Sequence, residues 1–304
     1  DLRVMPDFVA LVLVFWSVHQ PLRVGIDVSP LALTRAGTAR HIRSLLDLFE
    51  KDSALELRRY GFGGSSRALV PMRDIGWYLA ALPARARLDA VDVLHCPTHR
   101  APVRSTAPLV VTFHDLAVLR HPETFNTWTR AYSRLTLPRV AKAARRLIAV
   151  SEFTRRELID LLDVPEDKVR VIPNAVGPPF EQRGLAAEGD YVLAVSTLEP
   201  RKNLPRLVEA YRRAGLNGLE LVVAGAPGWG GVRVEGDGIR WLGEVQDEEL
   251  ARLYRGARCV AYVSLYEGFG LPVLEAMACG APVLAGRTDA AEEVAGGAAV
   301  LVDP

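Results

Sequence analysis

Continuous apolar runs and helix-like apolar spacings alternate along most of this chain. In the second half, short runs rich in β-branched residues recur between segments whose apolar residues return every three or four positions, which indicates buried strands separated by amphipathic helices. The predicted strands there cover 191–195, 219–224, 239–242, 259–263 and 282–285. The predicted helices cover 204–211, 248–254 and a segment that begins with Pro272 at its first position and stops at Gly280. This order predicts an α/β fold with a doubly wound parallel sheet.

The first half follows the same pattern less regularly. Its predicted strands cover 22–28, 55–62, 91–95, 109–113, 147–150 and 169–172. One helix is predicted after Gly37, and another follows Ser151 and ends near 162, with Thr154 and Glu157 at the spacing of a capping box. A basic stretch, 125–146, also has helical spacing, and we expect Pro138 to interrupt that helix. A second sheet of the same class is therefore predicted in this half.

The length of the chain suggests two domains, because it has 304 residues. We expect an N-terminal domain over 22–176, a linker rich in Pro and Gly over 177–189, and a C-terminal domain over 190–304. Residues 1–21 are expected to be an extension. Its apolar run, 8–16, is shorter than the roughly 20 residues that span a membrane, and nothing around it indicates a secretory signal. A plain upstream tail and an interfacial anchor are the two interpretations.

Composition excludes some classes of partner. The formal net charge is +1, which gives no reason to expect nucleic acid. The cysteines are too far apart for a metal or disulfide pattern, which fits a reducing cytoplasm, and they are Cys96, Cys259 and Cys279. No metal site is expected either, because Pro97 prevents the neighbouring histidines from sharing a helical face. The side chains considered for it are His95, Cys96, His99 and His114.

The stretch 264–280 carries the clearest chemistry. A predicted strand leads into a turn with Gly268 and Gly270 and then into a helix, so that free backbone N–H groups and the helix dipole favour an anion there. Glu267 and Glu275 flank the turn with seven residues between them, and they can approach one ligand from two sides. Outside this setting, a surface carboxylate and a helix-stabilising one would be the simpler interpretation.

A basic pair follows the first strand of the second half. Arg201 and Lys202 precede a helix for which Asn203 is the expected N-cap. Adjacent cations before a helix are often only solvated. Because ligands bind beyond the carboxyl ends of strands in such sheets, we instead expect this pair to clamp a diphosphate.

Five segments of the chain resemble the retaining glycosyltransferases of family 4, which have the two-domain GT-B fold and use sugar nucleotides. The paired-glutamate segment Glu-Gly-Phe-Gly-Leu-Pro-Val-Leu-Glu at 267–275 is the most specific. The others occur in the expected order at 111–116, 149–154, 172–175 and 197–203. The resemblance covers about 22–304, and it is closest to the mannosyltransferase-like members that build bacterial surface polysaccharides. It implies two Rossmann-like domains facing a cleft, and the helices that normally cross back after the second domain are expected to be missing.

The resemblance also implies roles for individual residues. The expected catalytic residues are His114, Arg201, Lys202 and Glu267. The expected donor-binding residues are Gly37, Ser151, Val245, Gly268, Phe269, Gly270, Leu271 and Glu275. For Gly37 and for Ser151, an ordinary helix start would also explain the residue.

The implied reaction is transfer of a hexose to a glycan or lipid-linked acceptor, with mannose from GDP-mannose as the leading donor and no metal or other cofactor. A cytoplasmic enzyme with weak peripheral contact to anionic membrane is expected, although a solvated helical face would also explain the basic stretch 125–146. The alternatives are a UDP-sugar-dependent transferase, a GT-B sugar-nucleotide epimerase, a glycoside hydrolase and an inactive nucleotide-sugar-binding scaffold.

Overall fold

Two six-stranded sheets make up the framework of the protein in a computed structural model, which describes residues 21–33, 37–63, 69–216 and 218–304. The predicted apolar run 8–16 and all of the predicted extension except Pro21 lie outside the described residues. The chain divides into two compact units, one of 1–113 with 136–148 and one of 114–135 with 149–304. No helix among the described residues is long and apolar enough to cross a bilayer.

The first sheet has the strand order β2-β1-β3-β4-β5-β6. Its strands are β1 (Leu22–Asp27), β2 (Leu55–Tyr60), β3 (Val93–Cys96), β4 (Leu109–Phe113), β5 (Arg146–Ala149) and β6 (Val169–Val171). The helices between them are α1 (Gly37–Phe49), α2 (Leu82–Leu88), α3 (Ala117–Arg120), α4 (Thr127–Ala143) and α5 (Glu152–Leu162), with a π-helical segment at Met72–Ala81. The predicted strands all form, and β1 to β4 pair in parallel.

The second sheet has the order β12-β11-β10-β7-β8-β9, and all of these pairings are parallel. Its strands are β7 (Tyr191–Val195), β8 (Glu220–Ala224), β9 (Ile239–Gly243), β10 (Cys259–Tyr262), β11 (Val283–Gly286) and β12 (Val300–Val302). Its helices are α6 (Leu204–Ala214), α7 (Asp247–Gly256), α8 (Leu271–Ala278) and α9 (Asp289–Ala295).

Both faces of the second sheet are covered, which explains its continuous apolar strands. On one face, Leu193 and Val222 pack with buried residues of α7, α8 and α9. On the other face, the adjacent residues Ala194 and Val223 pack against Leu207 and its neighbours in α6. The doubly wound α/β fold of the GT-B class is thus confirmed.

Two helix predictions were wrong in detail. Pro138 lies inside α4 and does not interrupt it. A proline there removes one backbone hydrogen bond, but Leu137, Val140 and Ala141 beside it are buried, and this packing holds the helix together. The capping box was also misplaced, because α5 begins earlier and its N-cap is Ser151, whose hydroxyl accepts the N–H of Thr154 at 2.9 Å.

Candidate active site

The topological switch point of the second sheet positions the candidate site. β7 lies between β8 on one side and β10 on the other, so the loops that follow β7 and β10 diverge at the carboxyl edge of the sheet. A crevice at this point is where open α/β sheets bind ligands. The loop after β7 carries Arg201 and Lys202, and the loop after β10 carries Glu267. The residues of the candidate site belong to the second compact unit unless stated otherwise.

The basic pair lies in a short 3-10 turn, Pro200–Lys202, between β7 and α6. Asn203 ends this turn in a left-handed conformation, with φ of 57°, and occupies the N-cap position of α6 as predicted. Its side chain makes no capping hydrogen bond, so the predicted capping interaction was wrong. The left-handed residue turns the chain sharply, so both cations lie in the turn between the carboxyl end of β7 and the start of α6.

Acidic side chains surround the two cations. Lys202 Nζ donates to Glu267 Oε1 at 2.6 Å, and Arg201 Nη1 lies 3.7 Å from the other oxygen of the same carboxylate. Arg201 also donates to Glu199 at 2.9 Å, and its Nη1 lies 3.5 Å from Asp115. This cluster of two cations and three carboxylates has a formal net charge of −1. The cations are therefore already compensated before any ligand binds.

Burial makes these interactions strong. Burial alone would raise the pKa of Glu267, but the charges of Lys202 and Arg201 and the hydrogen bond from Lys202 lower it to about 2. Burial would lower the pKa of Arg201, but the three carboxylates raise it above its ordinary value. Tyr262 lies under Lys202, with its ring centroid 5.5 Å from Nζ and its hydroxyl 3.3 Å away. Glu267 and Arg201 are thus charged at any ordinary pH.

The loop after β10 is held at successive residues. The Tyr266 carbonyl accepts from Arg201 at 3.2 Å, and Glu267 is bound by Lys202. The Gly268 carbonyl accepts from Ser151 Oγ at 2.5 Å and from Thr154 Oγ1 at 3.0 Å. A Cβ atom on Gly268 would overlap the carbonyl oxygen of His114, so only glycine fits there.

The predicted anion site lies where this loop becomes α8. Gly270 occupies the N-cap with φ of 96° and without a side-chain cap. Leu271, rather than Pro272, is the first helical residue, so the predicted start was one residue late. The Gly270 carbonyl accepts from Val273 N at 2.9 Å. Within the described part of the chain, the N–H groups of Gly270 and Leu271 have no such partner, so they are the donors that an anion would use.

The second glutamate is anchored separately from the first. Glu275 is 1% exposed and accepts a hydrogen bond from Tyr254 of α7 at 2.9 Å. Its expected contact with ribose stays a prediction. The tyrosine partner means that its carboxylate is held in place before a ligand arrives.

His114 and Ser151 lie beside the loop that carries Glu267. His114 follows β4 directly, is half-buried, and packs its backbone against Gly268. Ser151 is fully buried, and its hydroxyl proton goes to the Gly268 carbonyl. The Ser151 hydroxyl therefore supports the loop of Glu267 through the Gly268 carbonyl. Its prediction as a direct donor contact stays untested.

The remaining predicted residues are more scattered. Phe269 is buried in the same loop, and Val245 follows β9 and packs on the core beneath α7 and α8. Gly37 is the first residue of α1 and belongs to the first compact unit. The structure therefore groups the basic pair, Glu267, the 268–271 turn, His114 and Ser151, whereas Gly37 is described only within its own unit.

The sequence interpretation missed several residues of the cluster. Asp115 and Glu199 are neighbours of predicted site residues in their motifs, yet nothing in their spacing shows that they bind Arg201. Nothing in the spacing of Tyr262 and Tyr266 distinguishes them from core aromatics. The positions of these two acids did offer a signal that they belong to the site. Asp115 lies two residues after the end of β4, and Glu199 lies two residues before Arg201.

Comparison with known proteins gives the family. The model of Glycosyltransferase Family 4 matches residues 25–178, and that of group 1 glycosyl transferases matches 179–304. The O-antigen chain mannosyltransferase B of Escherichia coli is 35% identical over 237 residues, which are 70% of this chain and 61% of that protein. The O-antigen chain mannosyltransferase RfbU of Salmonella typhimurium is 29% identical over 248 residues, 77% of this chain and 68% of that protein.

A solved structure supports the fold independently. Anabaena HepE, crystallised with UDP-glucose, has a TM-score of 0.67 at 18% identity, over 93% of this chain and 86% of that one. The chain spans about three-fifths of mannosyltransferase B, 61% of its length. The first family model alone covers half of the chain, and the two together cover it from residue 25 to its last residue. The chain belongs to glycosyltransferase family 4.

Proposed function

We propose that this protein transfers a mannosyl unit from GDP-mannose to a hydroxyl group of a glycan or lipid-linked acceptor, with retention at the anomeric carbon. The observation that carries the proposal is the partly buried pair Arg201 and Lys202, which binds the buried Glu267 in the loop that leads into the N-terminus of α8. A diphosphate bound there would meet two cations and the N–H groups of Gly270 and Leu271.

The chemistry follows from where charge develops. The bond between the anomeric carbon and the phosphate oxygen breaks, and its electron pair stays on the diphosphate. Arg201, Lys202 and the two N–H groups stabilise that charge as fixed electrostatic partners. The acceptor oxygen forms the new bond to the same face of the anomeric carbon, and its proton passes to the leaving phosphate. The products are a glycoside and a nucleoside diphosphate.

The other polar groups orient the donor in this proposal. When the diphosphate binds, Lys202 exchanges Glu267 for phosphate oxygens, and the released carboxylate faces the sugar. His114 hydrogen-bonds a sugar hydroxyl, and Glu275 accepts from the ribose. No metal or other cofactor takes part in this proposal, because Lys202, once released from Glu267, and the N–H groups of Gly270 and Leu271 compensate the charge of the diphosphate.

The names of the relatives, rather than the geometry of the site, support mannose as the transferred sugar. Two of them are named O-antigen chain mannosyltransferases, which favours a mannosyl donor and a polysaccharide acceptor. The structure of HepE is described with UDP-glucose, so a UDP-sugar is the second candidate donor. The segment 241–245 resembles the loop with which the family contacts the nucleobase through its backbone, and such contacts do not distinguish the two donors.

We place the enzyme in the cytoplasm, with weak contact to the anionic inner face of the membrane. Helix α4 supports this contact, because its basic residues are exposed and no acid lies among them. Those residues are Arg130, Arg134, Arg139 and Lys142. Flotation with vesicles that contain anionic lipid should carry the protein upward, and equal recovery with neutral vesicles would refute the contact.

The test of the function is a transfer assay with GDP-mannose and, in parallel, UDP-glucose, using a mannose-containing oligosaccharide acceptor. We expect release of GDP only when acceptor is present, and a product with the donor's anomeric configuration. Conversion of the donor without acceptor would instead show an epimerase, and hydrolysis of a glycoside without nucleotide would show a hydrolase. Absence of any turnover, without binding of either donor, would refute the proposal.

A further inference from the structure

Tyr266 directly precedes Glu267, and its hydroxyl joins two segments far apart in the sequence. The side chain is 7% exposed. Its hydroxyl accepts the backbone N–H of Leu116 at 3.2 Å and donates to Glu157 Oε2 at 3.2 Å. The first bond ties the loop after β10 to the segment that carries His114 and Asp115, and the second ties it to α5.

Glu157 has a second partner that fixes its position. Arg120 donates to both carboxylate oxygens, from Nε at 3.0 Å to each and from Nη2 at 2.6 Å to Oε1. Such a forked contact sets the plane of the carboxylate as well as its position. Because Glu157 is buried and held by Arg120, its carboxylate is a fixed hydrogen-bond acceptor for the Tyr266 hydroxyl.

The ring of Tyr266 is held independently of its hydroxyl. His121 packs edge-on at 5.3 Å between centroids, and Phe153 does so at 5.6 Å from another direction. Loss of the hydroxyl alone should therefore leave the ring in place. The hydrogen bonds can be tested without disturbing the packing.

Two anchors thus bracket Glu267. Tyr266 holds the loop on one side of it, and Gly268 holds it on the other through the hydroxyls of Ser151 and Thr154. The segment that contributes Asp115 to the charge cluster is bound by the same tyrosine through Leu116. Small displacements at a transfer site reduce the rate strongly, by up to about 100-fold for roughly 1 Å.

We propose that Tyr266 is a positioning residue for glycosyl transfer, which keeps Glu267 and the segment of His114 and Asp115 in one fixed arrangement through its hydroxyl. Glu157, which Arg120 holds in place, accepts the hydrogen bond from the Tyr266 hydroxyl and completes this arrangement. Tyr266 does not touch the donor diphosphate in this account, because Arg201 and Lys202 bind it. The inference rests on the proposed function, since positioning matters only if transfer takes place there.

The test compares Tyr266→Phe with Tyr191→Phe. Tyr191 is also buried in the same unit and donates its hydroxyl proton to the Leu253 carbonyl at 2.8 Å, in a contact that involves neither loop. Tyr191→Phe loses one hydrogen bond of a buried hydroxyl and Tyr266→Phe loses two, so both variants should be less stable, Tyr266→Phe somewhat more so. Only Tyr266→Phe should lower kcat with GDP-mannose, by about 10- to 100-fold. Its donor KM should stay within about threefold of the unaltered chain, because the cation pair is intact.

A second readout needs no turnover. Hydrogen exchange at the Leu116 amide should become at least about tenfold faster in Tyr266→Phe and stay unchanged in Tyr191→Phe, because that amide loses its acceptor. Unchanged exchange, an unchanged kcat, or an equal fall of kcat in both variants would overturn the inference. An unaltered chain that transfers nothing from GDP-mannose or UDP-glucose would instead refute the proposed function, and the exchange comparison would still test the anchor.

Discussion

At the scale of single residues, the site is defined by charges that compensate one another out of water. Glu267 serves as the partner of Lys202 and Arg201, and burial strengthens each of these contacts. A buried pair is strongly affected by loss of one member, because the other charge is left without a partner. The same residues therefore contribute to stability and, in the proposed function, also bind the donor.

The pKa of Glu267 predicts how stability depends on pH. Its folded-state pKa of about 2 lies below the ordinary 4.5, so its ionised form stabilises the fold above pH 4.5, and this contribution is lost as the pH falls toward 2. Urea unfolding should show that the stability difference between the unaltered chain and Glu267→Gln narrows by about 2 kcal/mol from about pH 5 to about pH 3. A difference that stays constant over this range would show that Glu267 is not held as an ion.

Gly268 tests the close packing around the loop. Gly268→Ala places a methyl group against the His114 carbonyl, and we expect a loss of about 3 kcal/mol or a displaced loop with little transfer activity. Gly177→Ala is the matched control, because nothing lies within 4 Å of its added Cβ, and it should change stability by less than about 0.5 kcal/mol. Equal effects of the two substitutions in thermal unfolding would contradict this packing.

Sequence reasoning could find the site residues that stand at strand ends. Arg201, Lys202 and Glu267 follow β7 and β10, and parallel strands bring their carboxyl ends to one edge. It could not find Asp115 or Glu199 as partners of Arg201. Such pairings depend on which loops meet and on the rotamers that burial selects, and neither is encoded in local spacing.

At the scale of elements, the N-terminus of α5 joins helix formation to the site. Ser151 caps the helix and also donates to the Gly268 carbonyl. The predicted capping box, Thr154 with Glu157, placed the helix start too late. Ser151 lies three residues before Thr154, and it is Ser151 that caps the helix by accepting the Thr154 N–H. The carboxylate of Glu157, the other member of the predicted pair, binds Arg120 instead. Local propensity identified the helix, whereas tertiary contacts fixed its start.

Two N-caps of this fold make a matched comparison. Ser151 caps α5, and Thr288 caps α9 by accepting the Ala291 N–H at 3.3 Å. Each alanine substitution should lower the free energy of unfolding by about 1 kcal/mol. Only Ser151→Ala should also reduce transfer, by about tenfold or more, because Gly268 loses its shorter hydrogen bond. Equal activities of the two variants in a steady-state assay would exclude a role for Ser151 at the site.

At the scale of the whole molecule, the fold class was predictable because each half repeats strand and helix signals that agree with one another. Element bounds differ from the predictions by up to a few residues, as for β2 and α6. The π-helical segment Met72–Ala81 and the continuous α4 were not predictable in this way, because packing rather than propensity maintains them. The family models then cover both halves of the chain.

Metal independence is a property of the whole enzyme in the proposed reaction. If the cation pair alone compensates the diphosphate, treatment with EDTA followed by dialysis should leave kcat/KM within about twofold of its initial value. Addition of Mg²⁺ or Mn²⁺ should not raise it further. A loss of activity that either ion restores would show that the site requires a metal.

Calorimetric binding of GDP to the unaltered chain and to Lys202→Met tests most directly whether the cation pair binds the diphosphate. We expect GDP to bind the unaltered chain and to bind the variant at least about tenfold more weakly, since one charged contact to phosphate is lost. Lys51→Met, which removes an exposed lysine of the first unit, should bind GDP like the unaltered chain. Equal affinity of Lys202→Met and the unaltered chain for GDP, or no binding of GDP, UDP or ADP by the unaltered chain, would show that the cation pair does not bind a diphosphate.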